Sequence, residues 1–302
     1  MLAIVIPYYK RVFFEQTLQS LANQSDKRFK VYIGDDASPE NPKELLDKYK
    51  DKFNFKYQRF NENLGGTQLV KQWERCIDLS KNEEWFLVLG DDDVFGKNCI
   101  EEFYNCLPEI IEEKCKVVRF ATVIIDGMNN QKSSLHKHPK LEKAADFYYK
   151  RFTNKTRSSL SEYIFKRSAY KKFGFYNYDL GWFADDRAWL EFSEFKNIYS
   201  INTAFVSFRL SDENISRENY KLEEKEKVRL QFFRFLISKH ITEFKQSQQR
   251  HLLMYYEQLI YKNKKVTFSF WFLILFWFFK RYDFIEGIKF TRRIFIHLNK
   301  NE

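Results

Sequence analysis

The first half of the chain alternates short, largely apolar runs with amphipathic stretches. Residues 2–6, 29–33 and 85–89 are such runs, and their length and character are typical of strands buried on both faces of a sheet. Between the first two runs, Phe14 and Leu18 stand at helical spacing. This alternation predicts βαβ units and therefore an α/β, Rossmann-like fold, in which helices flank a mostly parallel sheet.

The elements after residue 37 continue this scheme before the pattern becomes irregular. Ser38, followed by a proline, predicts the N-cap of a helix. Residues 116–125 predict a long strand ahead of a polar loop at 126–140. Beyond the loop, we expect a short strand that ends at Phe165 and a strand pair that ends near Phe208.

The positive charge of the chain is concentrated at its C-terminal end. The formal net charge is +10, and residues 216–302 hold 18 Lys+Arg against 9 Asp+Glu, whereas residues 1–215 hold 33 against 32. We therefore predict a globular domain of residues 1–215 and a helical, basic and aromatic region of residues 216–302. A basic region of this kind binds nucleic acid or anionic lipid, and its apolar pattern decides between them.

An aromatic run lies near the C-terminus, at residues 266–279, between Lys262 and Lys280. A bilayer crossing takes about 20 apolar residues, so this run is too short to span a membrane. Aromatic residues bracketed by basic ones favour a helix in the membrane interface, and the amphipathic basic stretch at 283–299 adds to it. The alternative is that the run forms a core helix or a dimer contact, and in the second case the protein would be an oligomer.

The cysteines and the N-terminus predict a cytoplasmic protein. The 4 Cys residues show no CxxC spacing and are expected to be reduced. The apolar start has no basic stretch before it and ends at Pro7, too early for a signal peptide. With the aromatic run on lipid, the protein would be peripheral on the inner face of the cell membrane.

Three consecutive aspartates, Asp91, Asp92 and Asp93, follow the apolar run at 85–89. In open α/β sheets, ligands bind at the carboxyl ends of strands. Clustered carboxylates repel one another, and Mg²⁺ or Mn²⁺ relieves this repulsion while it engages substrate phosphates. The motif predicts a site for a metal and a diphosphate, with a solvated acidic turn or a helix N-cap as the alternative.

Two further motifs follow the ends of predicted strands. Asp35 and Asp36 follow the run at 29–33, where a carboxylate accepts hydrogen bonds from a nucleobase or a ribose, or caps the next helix. The loop at 61–66 contains Asn63 and Gly65, and its backbone amides are suited to approach a nucleotide. Neither motif specifies a ligand by itself.

Taken in order, these motifs resemble family 2 of the glycosyltransferases, whose members have the GT-A fold. The resemblance extends over roughly residues 1–215 and rests on Ile4-Val5-Ile6-Pro7-Tyr8-Tyr9, Asp35-Asp36-Ala37-Ser38, Asn63-Leu64-Gly65 and Asp91-Asp92-Asp93. It implies an inverting enzyme with a nucleotide-sugar donor, a UDP-sugar being expected, and Mn²⁺ or Mg²⁺ as cofactor. It further implies a glycan or lipid-linked acceptor in the synthesis of a bacterial capsule, lipopolysaccharide or exopolysaccharide.

The resemblance also assigns roles to single residues. It places Pro7, Tyr8 and Asp35 in the nucleoside pocket, with Asp36 beside them. It implies that Asp91 contacts the ribose or sugar and also binds the metal. Asp93 is the principal metal ligand, and the nucleotide-sugar site is completed by Tyr9, Asn63, Gly65 and Asp92.

A second acidic pair, Asp185 and Asp186, matches the position at which the family carries its catalytic base. An inverting transfer needs one carboxylate to take the proton of the acceptor hydroxyl. Asp186 is the first candidate and Asp185 the second, but many relatives have Glu at the first position, so the choice stays open. Alternatively, one of the two caps the helix that runs through Trp189.

Residues 207–216 resemble the segment that closes over the donor diphosphate in bacterial members. Arg209 would pair with a phosphate there, and an ordinary surface position is its alternative.

Other functions fit the motifs less well. A nucleotidyltransferase should carry a glycine-rich triphosphate loop where Pro7-Tyr8-Tyr9 stands. In a nucleic-acid-binding protein the acidic clusters would repel phosphate, so we expect no nucleic acid partner. A non-catalytic membrane-binding scaffold would leave Asp91, Asp93 and Asp186 without a role.

Overall fold

The structure, a computed structural model, describes residues 1–211, 221–262, 268–281 and 284–299. The chain divides into two compact units, Met1–Lys221 and Leu222–Glu302. The boundary predicted between residues 215 and 216 lies outside the described residues.

The first unit alternates strands and helices. Its strands are β1 (Leu2–Tyr8), β2 (Phe29–Asp35), β3 (Phe55–Arg59), β4 (Trp85–Val88), β5 (Val94–Phe95), β6 (Val117–Ile125), β7 (Leu141–Lys143), β8 (Tyr163–Lys166) and β9 (Asn197–Arg209). Its α-helices are α1 (Phe14–Ala22), α2 (Lys43–Asp47), α3 (Leu69–Ile77), α4 (Cys99–Glu112), α5 (Ala144–Phe152), α6 (Arg167–Phe173) and α7 (Ala184–Phe192). Short 3-10 turns cover Leu160–Glu162 and Asp179–Gly181.

Within the described residues, the strands form one sheet in the order β3-β2-β1-β4-β8-β6-β9-β5, with β7 paired to β9. The pairs β1–β2, β1–β4 and β2–β3 are parallel. Strand β8 is antiparallel to both β4 and β6, so it joins this parallel half to the later strands. The predicted α/β architecture is confirmed, and the sheet is mixed because its second half inserts antiparallel strands.

The core explains why the apolar runs become strands. Residues 2–6 of β1 are fully buried, because helices cover both faces of this central strand. Helix α1 buries Phe14 and Leu18 against the sheet, as their spacing predicted. Parallel pairing brings Tyr8 level with Asp35, and the Leu89 amide donates to the Val5 carbonyl at 2.9 Å. The carboxyl ends of β1, β2 and β4 therefore meet at one edge.

Two local predictions are wrong. Ser38 does not cap a helix, because α2 begins only at Lys43 and the Ser38 hydroxyl donates to the Glu40 carbonyl at 2.8 Å. The predicted strand pair before Phe208 is a single strand, β9, whose pairing with β6 shifts register between Ile201 and Phe205.

The second unit is helical in its described parts. It contains α8 (Leu222–Phe235), a π-helical turn (Leu236–His240), a 3-10 turn (Ile241–Glu243), α9 (Gln246–Lys262), α10 (Phe268–Arg281) and α11 (Phe284–Asn299). The guanidinium of Arg293 on α11 pairs with both carboxylate oxygens of Glu257 on α9, at 2.7 and 2.9 Å. No helix in the described ranges has the length and apolar character that a membrane crossing requires.

Candidate active site

A cavity of about 620 Å³ opens at the carboxyl ends of β1 and β4. Open α/β sheets bind ligands at this edge, and the volume suits a small-molecule ligand. The predicted site residues in its lining are Pro7, Tyr8, Tyr9, Asp36, Asn63, Gly65, Asp91, Asp92 and Asp93. Other elements add Phe13, Gly66, Leu69, Trp73, Ser159, Ser161 and Phe208.

The acidic turn after β4 is fastened to the end of β1. Oδ2 of Asp91 accepts hydrogen bonds from the amides of Tyr9 and Lys10, at 2.8 and 2.9 Å. The Thr17 hydroxyl, on α1, lies 3.1 Å from the Asp91 carbonyl and 2.9 Å from the Asp93 carbonyl and donates to them. Asp91 therefore shapes the floor of the cavity as well as lining it.

The charged forms of the three carboxylates are destabilised, mainly by burial. Burial raises the pKa of Asp91 to about 6, although the amides of Tyr9 and Lys10 favour its charged form. Burial also raises the pKa of Asp92 and Asp93, and the charges of Asp93 and Asp91 raise that of Asp92 further. A positive charge in the cavity would stabilise all three as carboxylates.

Two carboxylate oxygens of the acidic turn lie close together beside Gly90. A Cβ atom added to Gly90 would lie 2.9 Å from Oδ1 of Asp92 and 3.1 Å from Oδ2 of Asp93, so these two oxygens converge over the glycine. Within the described ranges, no group of three or more His, Cys, Asp or Glu residues is placed to hold a metal ion by itself. A cation held by two carboxylates and completed by phosphate oxygens and water is the arrangement that Mg²⁺ favours.

The two aspartates after β2 have separate tasks. Asp35 is fully buried outside the cavity lining, where its carboxylate accepts from the Tyr57 hydroxyl at 2.6 Å and from Arg59 at 2.9 Å. Asp36 lines the cavity, and its carboxylate accepts from the amides of Leu64 and Gly65, at 2.8 and 2.7 Å. A Cβ on Gly65 would lie 2.6 Å from Oδ2 of Asp36, so only glycine allows this approach.

Arg209 lies behind the cavity rather than in its lining. It is fully buried, and its backbone amide donates to Oδ1 of Asp93 at 2.9 Å. Its guanidinium donates to the carbonyls of Asp92 and Asp126, both at 2.8 Å, and to the Gln16 side chain at 2.5 Å. Through these contacts Arg209 holds the acidic turn in place. The prediction was a contact between Arg209 and a phosphate. Residues 212–216 of the predicted closing segment lie outside the described residues.

The second acidic pair occupies the first turn of α7. Phe183 holds the N-cap position with a left-handed φ of 63° and no side-chain capping bond, so neither aspartate is the cap. Asp186 is fully buried, and its Oδ1 lies 2.9 Å from Nε of Arg151. The distance makes this an ion pair, but neither carboxylate oxygen of Asp186 receives a hydrogen bond of normal geometry. Asp185 keeps partial exposure.

The protonation of this pair is also perturbed. Burial raises the pKa of Asp186, which Arg151 opposes and the charges of Asp185 and Glu162 reinforce. Burial raises the pKa of Asp185 as well, and Arg151 again opposes it. Carboxyl groups shifted in this direction suit proton transfer near neutral pH.

Sequence reasoning missed a buried polar cluster that adjoins both the cavity and the acidic pair. Glu162 forms a capping box with Ser159, which lines the cavity. Buried atoms without a hydrogen-bond partner lie around it: Nη1 of Arg119, Nε2 of His138, Oε1 of Glu162 and Nε1 of Trp189. Such atoms call for water or a ligand hydroxyl. The S-x-x-E spacing from Ser159 to Glu162 was the readable signal.

The turn before α7 carries backbone strain. Leu180, Gly181 and Phe183 have left-handed φ values of 62°, 65° and 63°. Non-glycine residues in this region cost roughly 1–3 kcal/mol each, and such strain is concentrated at functional sites. A Cβ on Gly181 would lie 3.1 Å from the side chain of Leu69, which lines the cavity. The strained turn therefore abuts the cavity.

The sequence matches a known family over more than half of its length. Residues 3–178 match the model of glycosyl transferase family 2. An uncharacterized glycosyltransferase of Mycoplasma genitalium is 29% identical over 142 residues, which are 46% of this chain and 45% of that protein. The matched stretch is thus less than half the length of this relative.

Solved structures of S. aureus TarS are similar to this chain. Residues 1–349 of TarS in complex with UDP-GlcNAc give a TM-score of 0.65 at 16% identity, covering 91% of this chain and 78% of that one. The same TarS fragment in complex with UDP gives 0.55 at 16% identity, covering 87% and 81%. At these identities the likeness shows the fold, and the GT-A prediction is confirmed.

Proposed function

The chain belongs to glycosyl transferase family 2, as its motifs predicted, and we propose that it is an inverting, metal-dependent enzyme that uses a UDP-sugar. The observation that carries this proposal is the cavity beside β1 and β4, where oxygens of Asp92 and Asp93 converge over Gly90. The complexes of TarS with UDP-GlcNAc and UDP support the choice of nucleotide.

In this proposal the donor lies across the acidic turn. Pro7, Tyr8 and Asp36 form the nucleoside side of the cavity, and Asp92 with Asp93 would hold Mn²⁺ or Mg²⁺ on the diphosphate side. When bound, the cation would supply positive charge that stabilises the departing diphosphate. Asp91 was a predicted metal ligand, but the backbone amides at its Oδ2 make orientation of the turn its better-supported task.

The pair at the start of α7 supplies the proposed base. One of its carboxylates takes the proton of the acceptor hydroxyl as the acceptor oxygen forms its bond to the anomeric carbon. The bond from that carbon to the diphosphate oxygen breaks, and its electron pair leaves with the nucleoside diphosphate. Attack opposite to the leaving group inverts the configuration of the sugar.

The two candidates for the base differ in access. Asp186 matches the family position and was the first candidate, yet it is fully buried beside Arg151. Asp185 is partly exposed, so it is the carboxylate that an incoming acceptor reaches first. Comparison of the two Asn variants separates a residue that touches the acceptor from one that positions its neighbour.

The proposed acceptor is a glycan or a lipid-linked glycan in bacterial surface-polysaccharide synthesis. A lipid-linked acceptor would be presented at the cytoplasmic face of the cell membrane, which is the location we propose.

Donor binding gives the direct test of the proposal. Calorimetry should show UDP binding in Mn²⁺ and much weaker binding in excess chelator, because the acidic turn and the diphosphate otherwise face each other as negative charges. A screen of UDP-sugars should then find release of UDP, whereas a nucleotidyltransferase would release pyrophosphate. Equal affinity for UDP with and without the metal would remove the metal from the mechanism.

A further inference from the structure

We propose that one face of the α10–α11 pair binds the surface of an anionic membrane. This lipid-binding face consists of Phe272, Phe276 and Phe279 on α10 and Ile288, Phe295 and Ile296 on α11. The inference concerns attachment, so it stands or falls separately from the proposed transfer reaction.

The exposed side of α10 is aromatic. Phe272, Phe276 and Phe279 are 66%, 53% and 44% exposed, and their spacing of four and three residues places them on one side of the helix. The opposite side is buried, as shown by Ile274 and Phe278. A contiguous apolar patch of this kind marks an interaction surface in a protein.

Helix α11 also exposes apolar side chains, and it adds charge. Ile288, Phe295 and Ile296 are about half exposed. The side chains of Lys289 and Arg292 are exposed among them. Apolar and cationic side chains that alternate on one exposed surface are typical of helices that lie in a membrane interface.

The two helices hold the face in place by packing against each other. The ring centroids of Phe278 on α10 and Phe290 on α11 are 5.3 Å apart, and those of Trp271 and Phe290 are 5.9 Å apart. The ion pair between Arg293 and Glu257 fastens α11 to α9. The aromatic side chains are therefore presented by a packed helical pair.

Charge and length identify the partner. Residues 262–300 hold 9 Lys+Arg against 2 Asp+Glu, so anionic headgroups complement this region. In a symmetric dimer through the same face, these cations would oppose one another. Helix α10 has 14 residues, about 21 Å of helix, against a hydrocarbon core of about 30 Å. The helix therefore suits a position in the plane of the membrane.

Co-sedimentation of the full-length protein with vesicles tests the face. Vesicles of phosphatidylcholine with phosphatidylglycerol should bind it, and phosphatidylcholine alone should bind it less. The variant F272S/F276S should bind at least tenfold more weakly in both low and high salt, because apolar insertion is not screened. The variant K289Q/R292Q should lose about fivefold for each cation removed, in low salt only.

An exposed apolar residue of the first unit provides the matched control. Ile111 on α4 is 54% exposed, and Ile111→Ser should bind vesicles as the unaltered protein does. Thermal unfolding of each variant establishes that it is folded.

Two results would overturn the proposal. One is equal vesicle binding by F272S/F276S and the unaltered protein, since the lipid contact would then lie elsewhere. The other is an unaltered protein that ignores anionic vesicles but is a dimer in solution, with F272S/F276S monomeric, which would assign the face to a second copy of the chain. UDP release, measured in parallel, shows whether the catalytic site is intact in either case.

Discussion

The two acidic clusters of the first unit consist of the same residue but meet the problem of buried charge in different ways. Asp91, Asp92 and Asp93 stand on a turn that backbone amides hold in place, and the Arg209 guanidinium behind the turn donates to the carbonyl of Asp92. Asp185 and its neighbour stand in the first turn of α7, next to the guanidinium of Arg151.

The difference indicates the chemistry of each cluster. The cations near the first cluster, Lys10, Arg157 and Arg209, offset the charge of its three carboxylates only in part, so the cluster is suited to receive a further cation from outside. The second cluster has two carboxylates, and the Arg151 guanidinium contacts one of them, so it is suited to hold or release a proton. The first cluster therefore suits the diphosphate and the second the acceptor hydroxyl.

Removal of the first cluster should have the largest effect. The variant D92N/D93N should lose transfer by roughly a thousandfold or more, because the charge of the leaving diphosphate is no longer compensated. Its thermal stability should be unchanged or higher, since two buried carboxylates no longer repel each other. Release of UDP and a melting curve measure both quantities. The exposed Asp51→Asn serves as control, and full activity of D92N/D93N would end the comparison.

Removal of the base should affect chemistry and spare binding. At least one of Asp185→Asn and Asp186→Asn should lower the transfer rate by roughly a hundredfold or more, while UDP affinity in calorimetry stays near normal. A loss of transfer activity in Asp185→Asn alone would assign the base to Asp185, the partly exposed residue. If both variants keep full activity, the base is elsewhere.

Removal of the Arg151 guanidinium should affect stability in a pH-dependent way. Arg151→Met should lower the free energy of unfolding by about 3 kcal/mol near neutral pH, because it leaves a buried carboxylate uncompensated. The pKa of Asp186 then rises further, so the folded state binds the proton more tightly and stability returns as the pH falls. Urea unfolding at pH 5 and pH 8 measures this. The double variant R151M/D186N should recover most of the loss, and a pH-independent loss would contradict the ion-pair explanation.

Addition of a metal should have the smallest effect. The folded-state pKa of Asp91 is raised from 3.8 to about 6, so without a cation this residue costs stability as the pH rises through that range. Mn²⁺ at ten times its dissociation constant should stabilise the protein by about 1.4 kcal/mol at pH 8, and by less at pH 5, where protons compete. Melting curves give both values, with D92N/D93N as the insensitive control. Equal stabilisation at both pH values would place the metal elsewhere.

The sequence predicted the centre of the parallel half of the sheet because strands β1, β2 and β4 are buried on both faces. Such strands carry near-continuous apolar runs, and the run at 85–89 became β4 and its continuation. The insertion of β8 between β4 and β6 was not predictable, because strand order depends on non-local packing. Ser38 shows the same limit on a small scale, since its hydroxyl donates to the Glu40 carbonyl in a loop and does not cap a helix.

The candidate site was predictable where it follows strand ends. Asp91 and Asp36 were found because they follow apolar runs, and both line the cavity. Arg209 could be placed near the acidic turn but not behind it, because spacing does not reveal on which side a strand presents its last side chain. Arg151 had no local signal, since its partner Asp186 is 35 positions away in the chain.

The hydrogen bonds between the acidic turn and β1 also determine the distance between the two sides of the cavity. Through Asp91 and the Thr17 hydroxyl, the nucleoside side of the cavity and the converging oxygens over Gly90 belong to one hydrogen-bonded piece. Their separation is therefore fixed before any donor arrives. In the proposed binding mode, a sugar linked through a single phosphate would place its anomeric carbon closer to the nucleoside side than a sugar linked through two. The acidic turn would then select donors by their length, whichever sugar they carry.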